Sequence, residues 1–240
     1  MGPIGPGGAM KTTQNIAAVI PAFNAAPSVG DVVRRTLPQV AEVLVVDDGS
    51  TDQTSQEARS AGAEVVAQEI NRGKGAALRL AFELLFGRGF DALVTLDADG
   101  QHLPEEIPKL IDLWRQGPDL VLGSRDHLFE EMSGVRKASN GISSRLISFA
   151  AGQLVGDVQT GFRIYRRGLI EEVGFPENRF EAESAVVVRA ARRGFQLASV
   201  PIHLGFADGR CTSHYRPIID SVRIARAVIG ARLEGTGTAV

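Results

Sequence analysis

The chain has 240 residues, of which 44% are hydrophobic and 22% charged, and its formal net charge is −2. This length suffices for one sizeable α/β domain, and the near-neutral charge excludes the global basic field of many nucleic-acid-binding proteins. Cys211 is the single cysteine, which excludes a disulfide framework or a cysteine zinc cluster within one chain, and no run of about 18 apolar residues predicts a transmembrane helix.

Strand and helix patterns alternate through the first half of the chain. Short apolar runs predict strands at Ile16–Ile20, Val43–Val46, Ala63–Ala67, Ala92–Leu96 and Leu120–Leu122. Helices are predicted from Ser28, as N-cap, to about Leu37, from Thr51 or Asp52 to Gly62, and over Gly75–Phe86 and Pro104–Gln116. Strands that alternate with helices of this length predict parallel pairing and right-handed crossovers.

The rhythm changes after Gly123. Helical patterns cover Val135–Leu154, Glu181–Arg193 and Pro217–Arg232, and strand-like patterns cover Gly161–Tyr165 and Gln196–Leu204, the latter interrupted at Pro201. The apolar stripe expected on the last helix consists of Ile218, Val222, Ala225 and Ile229.

No linker, repeat or charge block divides the chain, which favours one domain over residues 13–233. Within it, residues 13–123 form a nucleotide half and residues 124–233 an acceptor half. The Gly/Pro-rich residues 1–12 are predicted to be a disordered leader or an expression scar, and residues 234–240 a loose tail.

The run over residues 93–107, LVTLDADGQHLPEEI, carries the strongest chemical signal. An apolar strand ends in Asp97 and Asp99, which lie one residue apart, and Gln101 follows them. Carboxylates at the carboxyl end of a buried parallel strand lie where open α/β sheets bind ligands, and two acids this close repel unless a cation offsets their charge. A hard divalent ion that arrives with a substrate diphosphate fits this pair. The alternative is an acidic loop whose Asp residues cap the next helix.

Polar loops follow the other early strands as well. They are Pro21-Ala22-Phe23-Asn24, Asp47-Asp48-Gly49-Ser50 and Asn71-Arg72-Gly73-Lys74-Gly75. We expect Gly73 and Gly75 to let the backbone approach a ligand, and Lys74 to supply positive charge near phosphates. Each loop alone is equally typical of a turn or a helix start, and none matches a dinucleotide-binding or P-loop motif.

The order of the motifs is more specific than any one of them. PAFN, VVDDGSTD, NRGKGAA, LDADGQH, GSR and DVQTGFR follow one another in the chain. With this order the sequence resembles the family 2 glycosyltransferases, over roughly residues 16–230, and among them the enzymes that make dolichyl- and polyprenyl-phosphate sugars. The resemblance implies the GT-A fold, an α/β architecture with a mostly parallel central sheet flanked by helices.

The resemblance also implies a donor site for a nucleoside diphosphate sugar (GDP- or UDP-hexose). Asp97 would lie near the ribose and sugar, and Asp99 with Gln101, beside Asp97, would bind Mg²⁺ or Mn²⁺. The other donor-binding residues would be Pro21, Ala22, Phe23, Asp47, Asp48, Lys74, Ala98 and, in a late basic loop, Arg210. The family usually has Glu after the Asn of the first motif, whereas this chain has Ala25.

On the acceptor side, the resemblance implies a phosphate grip by Arg125, Arg136 and Asn140. Asp157 would lie close to the anomeric carbon as general base or electrostatic positioner, followed by Gln159 and Thr160 in the same loop. Glu183 belongs to an acidic pair at the start of a helix, where it is expected to face the site; an acid there also suits the helix dipole.

The function implied is metal-dependent, inverting transfer of a hexose to a polyprenyl or dolichyl phosphate. A lipid acceptor calls for peripheral contact with a membrane at its cytoplasmic face, through basic faces around Val135–Arg145 or Pro217–Arg232. Four alternatives remain open: transfer to a soluble or protein-bound hydroxyl, nucleotidyl transfer, a catalytically silent sugar-nucleotide sensor, and a receiver-like domain. The last would leave the second half of the chain unexplained.

Overall fold

The computed structural model describes residues 15–125, 160–205 and 217–233. These form a seven-stranded sheet with strand order β3-β2-β1-β4-β6-β5-β7. The strands are β1 (Ile16–Ala22), β2 (Glu42–Asp47), β3 (Glu64–Ala67), β4 (Ala92–Thr95), β5 (Leu120–Ser124), β6 (Arg163–Arg166) and β7 (Leu197–Pro201). All neighbouring pairs are parallel except the two that involve β6. The predicted α/β class with a mostly parallel sheet is confirmed.

Helices cover both faces of this sheet. Those in the described ranges are α1 (Ala26–Thr36), α2 (Thr54–Ser60), α3 (Lys74–Gly87), α4 (Ile107–Trp114), α5 (Arg167–Val173), α6 (Glu181–Arg192) and α7 (Pro217–Leu233). Short 3₁₀ turns at Leu37–Gln39 and Pro104–Glu106 adjoin α1 and α4. No helix in the described part of the chain is both long enough and apolar enough to cross a membrane.

Two hydrophobic cores follow from the alternation of side chains along the strands. In β1, Ala17 and Val19 belong to one core, whereas Ala18 and Ile20 belong to the other. The first core lies under α3, α5, α6 and α7, and the second under α1, α2 and α4. Strands buried on both faces explain the continuous apolar runs in the sequence.

Most predicted elements of the described ranges are present, with ends shifted by a few residues. The strand predicted near Gly161 is present as β6. It inserts between β4 and β5 and runs antiparallel to both. The order of strands along the chain does not reveal this position. Helix α5 was not predicted. The predicted helix Val135–Leu154 lies outside the described residues.

Two local predictions were wrong. Ala25, not Ser28, is the N-cap of α1, and the Ser28 hydroxyl instead donates to the Ala98 carbonyl at 2.7 Å. On α7 the predicted stripe fails at Ala225 and Ile229, which are exposed. The buried side chains there are Ile224, Val228 and Ala231, because this side of the helix packs in the first core. Apolar residues occur on both sides of α7, so helical periodicity alone does not identify the inner one.

The parallel pairing brings three strand ends to one edge of the sheet. Ala22, at the end of β1, is in register with Asp47 at the end of β2. Val19 of β1 is likewise in register with Thr95 at the end of β4. The loops that follow these strands therefore leave the sheet side by side, where α/β proteins bind ligands.

We predict that Phe82→Ala lowers the free energy of unfolding by about 3–5 kcal/mol, because the ring is almost fully buried. It lies edge-on to Phe175, with ring centroids 5.1 Å apart, and 5.2 Å from Tyr165. Urea denaturation measures the change. Ile70→Ala, at a site 63% exposed, serves as the control and should shift stability by no more than about 0.5 kcal/mol. Equal losses in the two variants would contradict the packing described.

Candidate active site

The loops after β1 and β2 are tied together by side-chain caps. Asn24 has a φ of 50°, and its amide oxygen accepts the Thr51 N–H at 2.9 Å. The Asn24 N–H donates to the Ser50 hydroxyl at 2.8 Å, and the Ala25 N–H to the Thr54 hydroxyl at 2.7 Å. Asn tolerates the left-handed backbone region better than most residues. The edge formed by β1 and β2 is thus held in one conformation.

Asp47 and Asp48 are both buried at this edge. Asp47 accepts hydrogen bonds from the Ser50 N–H, at 2.9 Å, and from the Ser55 hydroxyl. Asp48 accepts from the backbone N–H groups of Arg72 and Gly73 at 2.7 and 2.8 Å. Burial raises the pKa of Asp48, and these N–H groups only partly offset that rise. Asp48 therefore fixes the loop that leads into α3.

The glycines of that loop approach protein rather than an open ligand site. A Cβ on Gly73 would lie 2.5 Å from the Asn178 carbonyl oxygen, and one on Gly75 would lie 2.5 Å from the Glu177 carbonyl oxygen. The Asn178 carbonyl also accepts the Ala76 N–H at 3.0 Å, which satisfies one free donor of the first turn of α3. The segment before α6 thus occupies the space where a side chain would lie, and the approach of these glycines to a ligand stays a prediction.

Lys74, between the two glycines, connects three elements. Its ammonium lies 2.6 Å from Asp97 Oδ1 at the end of β4 and 2.9 Å from Glu183 Oε2 in the first turn of α6. Burial alone would raise the pKa of Asp97, but the Lys74 charge outweighs it and holds the pKa at about 2. The same two carboxylates raise the pKa of Lys74 despite its burial. Lys74 and Asp97 therefore form an ionised pair near neutral pH.

Glu183 takes part in this group with only one of its oxygens. Oε1 of the buried Glu183 carboxylate has no hydrogen-bond partner among the described residues. Sequence reasoning placed this residue with the acceptor, whereas the structure brings it to Lys74 and Asp97. A buried carboxylate with an open oxygen, beside a cation, is suited to accept a hydrogen bond from a bound hydroxyl.

The turn after β4 orients the two acids differently. The Asp97 N–H donates to Nδ1 of His102 at 3.1 Å, and the buried His102 ring stacks on Phe162 with centroids 5.3 Å apart. Asp99 Oδ1 accepts the Gln101 N–H at 2.9 Å. Burial, followed by the charge of Asp97, raises the pKa of Asp99. Asp97 is therefore paired with Lys74, whereas the pKa of Asp99 is raised, so a cation bound beside Asp99 would favour its ionised form.

The donor set at Asp99 fits a cation that shares its ligands with a substrate. Within the described residues no group of three or more His, Cys, Asp or Glu side chains is arranged to hold a metal ion. Mg²⁺, however, commonly binds one or two carboxylates and completes its shell with phosphate oxygens and water. Asp99, whose pKa is raised by burial and then by the charge of Asp97, and the neighbouring Gln101 offer oxygen ligands of this kind.

The segment Thr160–Phe162 forms a wall against the ion pair. The Thr95 hydroxyl donates to the Gly161 carbonyl at 2.8 Å. A Cβ on Gly161 would lie 2.6 Å from Lys74 Nζ and 2.8 Å from Asp97 Oδ2. Only glycine leaves both groups in place, so Gly161 contributes to the site through the absence of a side chain.

Arg163 fixes the same wall from inside the protein. It is fully buried, and its guanidinium donates to the carbonyl oxygens of Thr160 at 2.7 Å and Glu183 at 2.5 Å. These bonds join the loop before β6 to the first turn of α6. Arg163 therefore sets the positions of both Gly161 and Glu183 relative to Lys74.

The remaining predicted residues in the described ranges lie at the same edge. Pro21 and Ala22 end β1, Phe23 follows them, and Ala98 is buried between the two acids of the β4 turn. Thr160 is fully buried, and its hydroxyl accepts the Phe162 N–H at 3.2 Å. In this structure that side chain closes a turn, and its contact with an acceptor stays a prediction.

Arg125 directly follows β5. The pKa of Asp97 depends most on burial and on the charges of Lys74 and His102. The guanidinium of Arg125 has a smaller effect and lowers this pKa further. This electrostatic coupling places Arg125 on the side of the sheet edge that carries Asp97. The other predicted site residues lie outside the described ranges: Arg136, Asn140, Asp157, Gln159 and Arg210.

Sequence reasoning missed three residues that shape this site. They are His102, Gly161 and Arg163, and each acts by positioning Asp97, Lys74 or Glu183. A signal existed for two of them, because Gly161 and Arg163 belong to the DVQTGFR motif. Their roles depend on contacts with β4 and α6 that the motif does not contain.

Comparisons with known proteins agree on one family. Residues 17–174 match the family model for glycosyl transferase family 2. A dolichyl-phosphate hexose transferase of Haloferax volcanii is 35% identical over 93% of this chain and 96% of its own length. A polyprenol monophosphomannose synthase of Mycolicibacterium smegmatis is 30% identical over 80% of this chain and 78% of its own.

A solved structure supports the fold. Glucosyl-3-phosphoglycerate synthase from Mycobacterium tuberculosis, in complex with Mn²⁺, UDP and phosphoglyceric acid, superposes with a TM-score of 0.70. The two proteins are 23% identical, and the match covers 94% of this chain and 80% of the other. The architecture is the GT-A fold.

We predict that Gly161→Ala raises the pKa of Asp97 from about 2 and lowers the free energy of unfolding by about 1–3 kcal/mol. The added methyl group would push Lys74 Nζ away from the Asp97 carboxylate and weaken the charge that keeps Asp97 ionised. The carboxyl ¹³C shift of Asp97, followed with pH, reports the pKa, and urea denaturation reports the stability.

Gly168→Ala is the matched control, because nothing lies within 4 Å of a Cβ at that position of α5. It should leave the Asp97 titration unchanged. An unaltered Asp97 pKa in Gly161→Ala would show that the wall does not constrain the ion pair.

Proposed function

The chain belongs to glycosyl transferase family 2, and we propose that this glycosyltransferase moves a hexose from a nucleoside diphosphate sugar to a polyprenyl or dolichyl phosphate, with inversion at the anomeric carbon. The observation that carries the proposal is the arrangement of charges at the end of β4. Lys74 pairs with Asp97, whereas burial and the charge of Asp97 raise the pKa of Asp99, so a bound cation would favour the ionised form of Asp99.

The donor would lie along the edge formed by β1, β2 and β4. Backbone and side chains of Pro21, Ala22 and Phe23 would hold the nucleoside, together with Asp47 and Asp48. Because both acids accept hydrogen bonds from backbone N–H groups of the adjoining loops, their contribution includes keeping those loops in a single shape. A preformed pocket lowers the entropy lost when the nucleotide binds.

Mg²⁺ or Mn²⁺ would be held by Asp99 and Gln101, beside Asp97, and would offset the charge that develops on the leaving nucleoside diphosphate. The M. tuberculosis relative of the same fold holds Mn²⁺ with UDP, which supports a cation of this kind here. Arg210 would add positive charge near the diphosphate, whereas the charge of Lys74 is already shared by Asp97 and Glu183. Ala98, buried between the two acids, leaves room for both to face the ligand.

The sugar would lie over the Lys74 group. Lys74 and Asp97 are fixed by each other, with Gly161 packed closely against both charged groups. The open oxygen of Glu183 would accept a hydroxyl of the hexose, so we assign Glu183 to the sugar rather than to the acceptor phosphate. Rigid donors and acceptors of this kind favour a single orientation of the reacting carbon.

The acceptor class is supported by the relatives from H. volcanii and M. smegmatis, whose names give dolichyl phosphate and polyprenol as their lipids. A phosphate is an anion at neutral pH and needs orientation more than deprotonation. Arg125, with Arg136 and Asn140, would grip it, since the planar guanidinium pairs well with phosphate. Asp157 would position the attack, next to Gln159 and Thr160.

In the reaction, an oxygen of the acceptor phosphate attacks the anomeric carbon from the face opposite the diphosphate. The new carbon–oxygen bond forms as the bond to the diphosphate breaks, and the electron pair leaves with the nucleoside diphosphate. No proton transfer is required. The products are a lipid-linked sugar phosphate and a free nucleoside diphosphate.

Transfer from radiolabelled UDP- and GDP-hexoses in the presence of Mn²⁺ tests the proposal. We expect label on polyprenyl phosphate in detergent, and Asp99→Asn should lower the rate by about a hundredfold or more with an unchanged melting temperature. Asp112→Asn, at an exposed position of α4, is the control and should keep full activity. Label on 3-phosphoglycerate but not on lipid phosphate, or release of pyrophosphate, would overturn the proposal.

Arg125→Ala should raise the KM for the acceptor by about tenfold and leave the KM for the donor within about twofold, because it removes one charge-assisted phosphate contact. Steady-state kinetics with each substrate varied in turn give both constants. Arg59→Ala, on the exposed side of α2, provides the comparison. A rise in the donor KM equal to that in the acceptor KM would remove Arg125 from the acceptor site.

A further inference from the structure

Helix α7 has apolar side chains on two sides, and only one of these sides packs in the core. Ile224, Val228 and Ala231 are buried in the core shared with α6. On the other side, Ile229 is 58% exposed and Leu233 is 78% exposed. Among the described residues just three large apolar side chains are exposed to this degree, and two of them lie one turn apart on α7.

The exposed side of α7 is also basic. Arg226 lies one turn before Ile229 and is exposed, as are Arg223 and Arg232. Helix α7 contains these three arginines and one acid, Asp220, although the whole chain carries a net charge of −2. Positive charge is thus concentrated on the helix that exposes the apolar side chains.

From this combination we propose that the outer side of α7, consisting of Arg226, Ile229 and Leu233 with flanking Arg223 and Arg232, docks on an anionic lipid bilayer. Isoleucine and leucine side chains would enter the boundary between head groups and acyl chains, while the arginines would extend to lipid phosphates. The inference extends the proposed function, since a lipid acceptor has to be reached at a membrane surface.

A second copy of the chain fits this surface less well. In a symmetric dimer the same residues would face each other, which would bring two arginine-rich surfaces together. Like charges across an interface oppose association. An anionic bilayer offers the opposite charge and an apolar interior at once.

The surface is connected to the site through its neighbours. Helix α7 packs against α6, whose first turn holds Glu183 on Lys74. Gly205, which precedes α7 in the chain, lies against the turn after β4, because its N–H donates to the Gln101 carbonyl at 2.9 Å. A bilayer bound at α7 would therefore meet the domain through elements that also build the active site.

Co-sedimentation of the full chain with vesicles tests the proposal. The vesicles consist of phosphatidylcholine with or without phosphatidylglycerol, and they contain neither polyprenyl phosphate nor sugar nucleotide. We expect binding to the anionic vesicles only, and release at high salt, because each arginine near the surface contributes about fivefold in affinity.

Two variants and two matched controls locate the surface. The double variant I229S/L233S should bind anionic vesicles about tenfold more weakly, and Arg226→Glu about thirtyfold more weakly. Ile70→Ser, at a position 63% exposed after β3, and Arg59→Glu, on α2, make the same chemical changes elsewhere and should bind as the wild type does. All five positions are exposed, so melting temperatures should agree.

Equal vesicle binding by the α7 variants and their controls would overturn the proposal. Light scattering without vesicles provides a second test. If the wild type is a dimer and I229S/L233S is a monomer, the surface binds a second copy and the proposal is overturned. The binding assay uses no sugar transfer. Vesicle binding through α7 without any transfer to lipid phosphate would refute the proposed function alone, whereas transfer in detergent with unchanged vesicle binding by the variants would refute the docking surface alone.

Discussion

The ion pair between Lys74 and Asp97 is the interaction on which the architecture of the site depends. Lys74 begins α3, Asp97 lies in the turn after β4, and Glu183, which also contacts Lys74, lies in the first turn of α6. Three elements that are far apart in the chain thus meet through one ammonium group. Removing a partner from such a buried group leaves an uncompensated charge, so the three elements hold each other in position.

The contacts of the surrounding residues in this structure hold the ion pair in position. Gly73 and Gly75 allow the segment before α6 to approach α3, and Gly161 leaves space for the two charged groups. Asp48 holds the loop before Lys74, and Arg163 holds the loop before β6. The result is a fixed set of contacts next to Asp99, the acid that we propose as a cation ligand.

Sequence patterns predicted the fold class and most elements, because buried parallel strands and amphipathic helices have distinct periodicities. They also predicted which loops meet, since the carboxyl ends of parallel strands share one edge. They did not predict the antiparallel position of β6 or the inner side of α7, because both depend on which surfaces pack together over long sequence distances. For the same reason, the motifs did not show that Glu183 pairs with Lys74 or that Gly73 packs against the segment before α6: a motif shows residue types but not the segment that packs against them.

The position of β6 has a consequence for how the chain is made. Strand β5 pairs only with β6 and β7 in the described sheet, and β4 has β6 as its second neighbour. While the ribosome has synthesised only the first half, β4 exposes an unpaired edge and β5 has no partner at all. Such edges recruit other strands, so the nascent first half is the stage at which this enzyme is most exposed to aggregation and most in need of chaperone protection.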